Sequence, residues 1–243
     1  MFRVASRFPQ YENPQPQRQS DPTINRTSAE VEAKGCRTVP EQATAGEIEF
    51  WFDFSSPYAY FAAMEIEALA ERYRRQVKWR PFLLGAAFTA TGMQPLVQMP
   101  MRGDYAKRDW ARLARRKDIP FMLPASFPAA TQAAARAFYW LDAEQPSLAS
   151  PFVRKVFQAY FGEGREIHAP SDITALAARL GADAARLAAA LQDPALKAVL
   201  RAKTDEALAR QIFGSPFIIV GDEAFWGSDR LGMVEEWLQR GGW

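Results

Sequence analysis

The stretch FDFSSPYAY, Phe52 to Tyr60, stands where one sequence pattern ends and another begins. The segment EIEFWFDF, residues 47–54, is mostly aromatic and apolar with partial alternation, which predicts a β-strand. After it, residues 59–73 carry alanine, isoleucine and leucine at helical spacing. Proline suits the first turn of a helix because its missing N–H would lack a partner there. The stretch therefore predicts a strand that runs through two serines into a helix beginning at Pro57.

More elements follow in a recognisable order. Val77 to Leu84, VKWRPFLL, predicts a second strand and completes a βαβ unit. Residues 85–193 carry several amphipathic helical patterns and no repeat of fixed period; the predicted helices are Tyr105 to Arg116, Pro128 to Glu144, Pro151 to Phe161, Asp172 to Leu180 and Ala184 to Leu191. Residues 194–211 predict a long helix, residues 216–226 predict two strands joined by a tight turn, and residues 227–240 predict a last helix.

This order predicts an α/β protein with a thioredoxin-like fold and an inserted all-α domain. The thioredoxin-like domain is expected to comprise residues 47–84 and 194–243, and the helical insertion residues 85–193. Residues 1–46 are polar, rich in proline, glutamine and serine, and lack the apolar run of a secretory signal. We expect them to form a disordered extension, and we expect the protein to be cytoplasmic.

Charge and residue counts exclude several classes of function. Lys and Arg number 30 against 28 Asp and Glu, so bulk charge does not indicate a nucleic-acid partner. No apolar run approaches the roughly 20 residues of a membrane span. With one cysteine, Cys36, and one histidine, His168, the chain has no disulfide framework, Cys-x-x-Cys pair or His/Cys zinc cluster, and we expect no metal.

Two readings remain open for each of three short motifs. Ser56 before Pro57 can cap the helix, which is worth about 1 kcal/mol, or its hydroxyl can hold a ligand anion at the positive end of that helix. Ser55 is the competing hydroxyl. The sequence Gly214-Ser215-Pro216 can be an ordinary turn or a ligand-facing loop. The sequence Gly227-Ser228-Asp229-Arg230 can cap the last helix or bind a charged ligand.

Taken together, in this order, the motifs resemble the kappa-class glutathione transferase and 2-hydroxychromene-2-carboxylate isomerase family, in the DsbA-like branch of thioredoxin folds. The similarity extends from Glu47 to the C-terminus. Redox members of this fold carry Cys-Pro-x-Cys where this chain has Ser56 and Ala59, so no protein thiolate is available there. The resemblance implies that a ligand, glutathione, supplies the thiol.

The resemblance also assigns roles to named residues. It implies that Ser56 activates the glutathione thiol and that Ser215 and Pro216 form a cis-proline loop that pairs with the cysteinyl backbone. It places Ser228, Asp229 and Arg230 at the γ-glutamyl end. Arg102 and Tyr58 are candidates for substrate contact, and Phe54 and Trp226 either shape an apolar pocket or belong to the core. Met93 replaces an asparagine that is frequent in the family, and Arg102 replaces a more usual lysine.

The implied activity is a glutathione-dependent isomerisation in aromatic catabolism. In this family the thiolate adds to a conjugated carbon, the former double bond rotates, and elimination returns free glutathione; the resembling reaction interconverts 2-hydroxychromene-2-carboxylate and trans-o-hydroxybenzylidenepyruvate. The alternatives are a kappa-type transfer, in which the conjugate is released, and a non-catalytic peptide-binding module. The resemblance further implies a homodimer.

Overall fold

A four-stranded mixed sheet lies at the centre of the computed structural model, which describes residues 46–243. The strands are β1 (Ile48–Phe52), β2 (Val77–Pro81), β3 (Phe217–Val220) and β4 (Glu223–Trp226), in the spatial order β2-β1-β3-β4. β2 runs parallel to β1, whereas β3 is antiparallel to both β1 and β4. This sheet confirms the predicted α/β class and βαβ unit.

Ten α-helices surround or follow these strands in the described part of the chain. They are α1 (Pro57–Ala63), α2 (Ile66–Arg72), α3 (Leu84–Thr91), α4 (Arg102–Lys117), α5 (Gln132–Glu144), α6 (Pro146–Phe157), α7 (Pro170–Ala178), α8 (Ala184–Ala190), α9 (Pro194–Ala209) and α10 (Leu231–Arg240). Short 3-10 turns occupy Leu96–Gln98 and Ser228–Arg230, and a π turn occupies Gln158–Gly162.

Two helix predictions were wrong in detail, and one helix was missed. The single helix predicted through residue 73 is two helices, α1 and α2, separated by Met64 and Glu65. α6 begins at Pro146 instead of Pro151, which lies inside the helix. α3 was not predicted at all, because Ala87 is its one buried residue and the helix therefore carries no apolar stripe.

The domain boundaries stay a prediction. In the fully described stretch 82–216 the chain forms helices and turns but no strand, as expected for the helical insertion. The predicted disordered extension at residues 1–46 lies outside the described residues, apart from its last residue. Among residues 46–243 no helix has both the length and the apolar character needed to cross a membrane.

One face of β1 is held by aromatic packing. The ring centroids of Phe52 and Phe157 lie 5.5 Å apart, and those of Phe54 and Phe157 lie 5.2 Å apart. All three side chains are fully buried. Because buried aromatic pairs at this separation combine a large buried area with ring–ring contact, they fix the end of β1 against α6. The loop that follows β1 therefore starts from a rigid support.

The other face of β1 carries a charged cluster around Trp51. The indole N–H of Trp51 donates to the Glu49 carboxylate at 2.8 Å, and Arg210 donates to the same carboxylate at 2.6 Å. The guanidinium groups of Arg80 and Arg210 lie 5.5 Å and 5.3 Å from the Trp51 ring. Partial burial raises the pKa of Glu49, but the hydrogen bonds and the cations outweigh it and hold that pKa below its ordinary value.

Candidate active site

Ser56 joins the start of α1 to the segment before β3. It is the N-cap of α1, with extended backbone angles, and its Oγ accepts the N–H of Ala59 at 3.2 Å. The same hydroxyl donates to the carbonyl oxygen of Ser215 at 2.7 Å. Ser56 is buried. The predicted helix cap is therefore confirmed, and the second bond shows that this hydroxyl also faces another part of the fold.

The Ser215-Pro216 peptide bond is cis, as the resemblance implied. Ser215 is buried, and its Oγ accepts the main-chain N–H of Asp53 at 2.9 Å. The carbonyl oxygen of Pro216 accepts the N–H of Gly227 at 3.0 Å. The second motif therefore lies between the first and the third.

A buried carboxylate anchors the loop in front of Ser56. Asp53 is 4% exposed, and its Oδ1 accepts the N–H and the hydroxyl of Ser55 and the hydroxyl of Thr131, at 2.8, 2.9 and 2.9 Å. Its Oδ2 accepts the N–H of Leu84 at 2.8 Å. These bonds tie the Ser55 loop to the starts of α3 and α5. No motif in the sequence singles out Asp53; the one signal was a carboxylate between two phenylalanines near the end of the predicted strand.

The third motif is not a helix cap. Ser228, Asp229 and Arg230 form a 3-10 turn, and no side chain caps either that turn or α10. Ser228 is buried, whereas the Asp229 side chain is exposed and pairs with Arg230 at 3.6 Å. Gly227 has φ 113°, and a Cβ there would lie 2.5 Å from the Asp229 carboxylate. Glycine is therefore required, and capping does not explain the polar residues that follow it.

All three motifs border one cleft of about 1900 Å³. Its lining includes Ser56, Tyr58, Arg102, Ser215, Ser228, Asp229 and Arg230. Pro216 is buried behind Ser215 and does not line the cleft. Drug-sized ligands occupy clefts of roughly 300–1,000 Å³, so this cleft has room for two small molecules.

Tyr58 contributes a neutral phenol to the cleft wall. Its hydroxyl donates to Asp109 Oδ2 at 3.0 Å, and its ring packs edge-on against Trp110 with centroids 6.0 Å apart. Burial and the neighbouring Asp109 carboxylate raise the pKa of Tyr58. Arg112 binds the other Asp109 oxygen at 2.7 Å. The phenol therefore stays protonated at neutral pH, with its proton directed at Asp109.

Arg102 is an available cation at the mouth of the cleft. It begins α4, is exposed, and makes no ion pair within residues 46–243. Of the other cations that line the cleft, Arg72, Lys117 and Arg230 each pair with a carboxylate, whereas Arg116, like Arg102, makes no ion pair among residues 46–243.

Of the remaining residues that the sequence placed near the site, Met93 and Trp226 lie in the cleft wall and Phe54 lies in the core. Met93 and Trp226 line the cleft and are 38% and 52% exposed. Phe54 is fully buried and belongs to the core rather than to an apolar pocket.

The model of the DSBA-like thioredoxin domain family matches residues 47–239. The chain belongs to this family. It is 30% identical over 199 residues to a 2-hydroxychromene-2-carboxylate isomerase from Sphingobium xenophagum, which covers 79% of this chain and 97% of the relative. It is 24% identical over 205 residues to glutathione S-transferase kappa 1 from Caenorhabditis elegans, covering 79% and 91% of the two chains.

A solved structure of 2-hydroxychromene-2-carboxylate isomerase superposes on this fold with a TM-score of 0.71 at 31% identity, covering 79% of this chain and 94% of that one. These relatives confirm the resemblance drawn from the motifs and the thioredoxin-like fold. They support an activity of the isomerase or glutathione-transferase type.

Proposed function

We propose that the protein is a glutathione-dependent isomerase of the 2-hydroxychromene-2-carboxylate type, in which Ser56 stabilises the glutathione thiolate. The observation that carries the proposal is the Ser56 hydroxyl, which lies at the N-terminus of α1, lines the cleft and is 2.7 Å from the Ser215 carbonyl. A helix N-terminus favours an anion because its N–H groups and dipole present positive charge.

The Ser56 proton can move from a weaker acceptor to a stronger one. In the free protein the Ser56 hydroxyl donates its hydrogen bond to the neutral Ser215 carbonyl oxygen. A hydrogen bond to a charged acceptor is roughly twice as strong as one between neutral groups. A thiolate placed beside Ser56 would therefore draw the hydroxyl toward itself. The main chain of Ser215 would pair with the cysteinyl backbone of glutathione, as an added strand pairs with a sheet edge.

The 3-10 turn after β4 suits the other end of glutathione. Its γ-glutamyl group carries one ammonium and one carboxylate. The exposed Asp229 carboxylate suits the ammonium, while the buried Ser228 and the Arg230 cation suit the carboxylate. This assignment uses polar groups that have no role in capping a helix.

The reaction follows from a thiolate next to an electrophile. Because 2-hydroxychromene-2-carboxylate is a cyclic hemiketal, its ring C–O bond breaks first, the proton of the 2-hydroxyl passes to the phenolic oxygen, and the open form is a conjugated ketone. The sulfur forms a bond to the conjugated carbon of this ketone, and the displaced electron pair moves to the ketone oxygen as an enolate. The former double bond is then single and rotates. The enolate electrons re-form the double bond and expel the thiolate, so glutathione is regenerated. Arg102 would hold the substrate carboxylate, and Tyr58 and Trp226 would line the space for its aromatic ring.

A kappa-type transfer is the second candidate, favoured by the similarity to glutathione S-transferase kappa 1. It uses the same thiolate but releases the conjugate instead of reversing the addition. The homodimer and the cytoplasmic location belong to the same proposal. Two assays separate the candidates: turnover of 2-hydroxychromene-2-carboxylate, and thiol loss with chlorodinitrobenzene, each with and without glutathione.

Isomerisation that requires glutathione but consumes no thiol supports the isomerase. Thiol loss without isomerisation supports the transferase, and inertness toward both substrates together with peptide binding supports a non-catalytic module. Arg102→Gln should raise KM for the chromene carboxylate several-fold with little effect on kcat, because the cation binds the substrate away from the reacting carbon. Lys107→Gln, on the exposed face of α4 outside the cleft lining, is the control.

A further inference from the structure

We propose that the side chain of Ser215 positions the Ser56 hydroxyl, through the main chain of Asp53, and so sets the acidity of the bound thiol. The inference rests on the proposed function, and it adds a role for a side chain where the family resemblance implies only a main-chain contact.

The register of β1 and β3 places Ser215 opposite Asp53. Ile48 pairs with Val220 and Trp51 with Phe217. Continuing this antiparallel register by two residues brings Asp53 and Ser215 face to face. There the N–H of Asp53 donates to the Ser215 side-chain oxygen at 2.9 Å rather than to a main-chain carbonyl.

Because the Ser215 side chain accepts the Asp53 N–H, the Ser215 carbonyl is left to accept a hydrogen bond from Ser56. The carbonyl accepts the Ser56 hydroxyl at 2.7 Å. The N–H of Ser56 in turn donates to the Asp53 carbonyl at 3.0 Å. The three residues therefore form a closed set of hydrogen bonds in which each is joined to the other two.

These three hydrogen-bonded residues are buried, so water cannot replace a lost hydrogen bond among them. Asp53, Ser56 and Ser215 are 4%, 6% and 9% exposed. A buried N–H without an acceptor is costly, so the Asp53 N–H holds Ser215 firmly. Without the Ser215 hydroxyl, the 214–216 segment would lose its side-chain tie to β1. Asp53, whose carbonyl accepts the Ser56 N–H, would then lose its fixed position, and Ser56 would no longer be held where its hydroxyl can donate to the thiolate.

A purely structural role for Ser215 makes a different prediction. In that case Ser215→Ala would lower stability but leave the acidity of bound glutathione unchanged. The measurement is therefore a pH titration of thiolate absorbance for glutathione bound to wild type, Ser215→Ala, Ser215→Thr, Ser56→Ala and the double variant Ser56→Ala/Ser215→Ala.

We expect Ser215→Ala to raise the pKa of the bound thiol by about half a unit to one unit. Ser215→Thr should restore the wild-type value because threonine keeps the hydroxyl and favours extended backbone. Since Ser215 acts through Ser56, the double variant should show the same pKa as Ser56→Ala alone. Ser215→Val, which has the shape of threonine without the hydroxyl, should raise the pKa of the bound thiol as Ser215→Ala does. It replaces the alanine variant in the test if that variant does not fold.

Two results would overturn the inference while leaving the proposed function intact. One is an unchanged thiol pKa in Ser215→Ala or Ser215→Val with glutathione bound. The other is an equal increase in the wild-type and Ser56→Ala backgrounds, which would mean that Ser215 acts independently of Ser56. Absence of any bound thiolate in the wild type would instead refute the proposed function, and the inference with it.

Discussion

Replacing Ser56 with alanine tests the proposed chemistry most directly. The change removes the hydroxyl that accepts the Ala59 N–H at 3.2 Å and donates to the Ser215 carbonyl at 2.7 Å. Losing the helix cap costs about 1 kcal/mol, and losing a buried neutral hydrogen bond costs about 1 kcal/mol more. We therefore expect the free energy of unfolding to fall by about 1–2 kcal/mol, with the fold retained.

The effect on the thiol follows from the same bonds. A hydrogen bond to a charged group contributes about 1.5–3 kcal/mol, against about 1 kcal/mol for the carbonyl bond that it replaces. The difference, about 0.5–2 kcal/mol, is centred near one pKa unit. Ser56→Ala should therefore raise the pKa of bound glutathione by about one unit. At pH values below the wild-type thiol pKa, kcat should fall about ten-fold, because the thiolate is the nucleophile.

Titration of thiolate absorbance and the pH profile of kcat measure these effects. Ser55→Ala is the matched control, because this neighbouring hydroxyl lines the same cleft but donates to Asp53, at 2.9 Å. It should leave the thiol pKa unchanged. An equal shift in both variants would show that the effect is a general loosening of the loop. No shift in Ser56→Ala with glutathione bound would refute the role of this hydroxyl.

Three further predictions concern stability, each measured by urea unfolding. Tyr58→Phe should lower the free energy of unfolding by about 1 kcal/mol. Because the pKa of Tyr58 is raised in the folded protein, the stability difference between Tyr58→Phe and wild type should hold at neutral pH and become smaller above about pH 10. Gly214→Ala should lower the free energy of unfolding and weaken glutathione binding, because the new Cβ would overlap the Trp226 indole. Gly85→Ala, which lies in open space within α3, should instead raise the free energy of unfolding by up to about 1 kcal/mol. A Gly214→Ala protein more stable than Gly85→Ala would contradict the packing described. Glu49→Gln should lower the free energy of unfolding at neutral pH and flatten the pH dependence of that free energy below pH 4.5. The reason is that the lowered pKa of Glu49 contributes stability that is lost as the pH falls through the pKa of the folded state. An acid transition that is the same in Glu49→Gln and wild type would exclude this contribution.

Much of the fold could be predicted because it depends on local patterns. The alternation before Asp53 and the proline at the start of α1 are features of adjacent residues, and both predicted elements formed. α3 escaped prediction because apolar and small residues lie all round it, so that no single face is distinguished, and Ala87 is its one buried residue. A helix that lacks an apolar face leaves no periodic signal in the sequence.

The candidate site depends on residues that are far apart in the chain. Ser56 and Ser215 are separated by 159 positions, and Asp53 and Thr131 by 78. The sequence shows the types of these residues, and the resemblance assigned Ser56 and Ser215 to the same ligand site. The bonds to Asp53 could not be predicted, because they follow from the pairing of β1 with β3 and from where α3 and α5 begin.

The sequence alone determined that no protein thiol stands at the start of α1, since Ser56 and Ala59 occupy the positions of the redox cysteines. That exclusion needs only residue identities, because neither a hydroxyl nor a methyl can carry out thiol exchange. The tertiary structure decided that the Ser56 hydroxyl faces the Ser215 carbonyl and that the third motif is free of any capping role. Such facts require the structure, because a hydrogen bond depends on distances of a few tenths of an ångström between segments that only the folded sheet brings together.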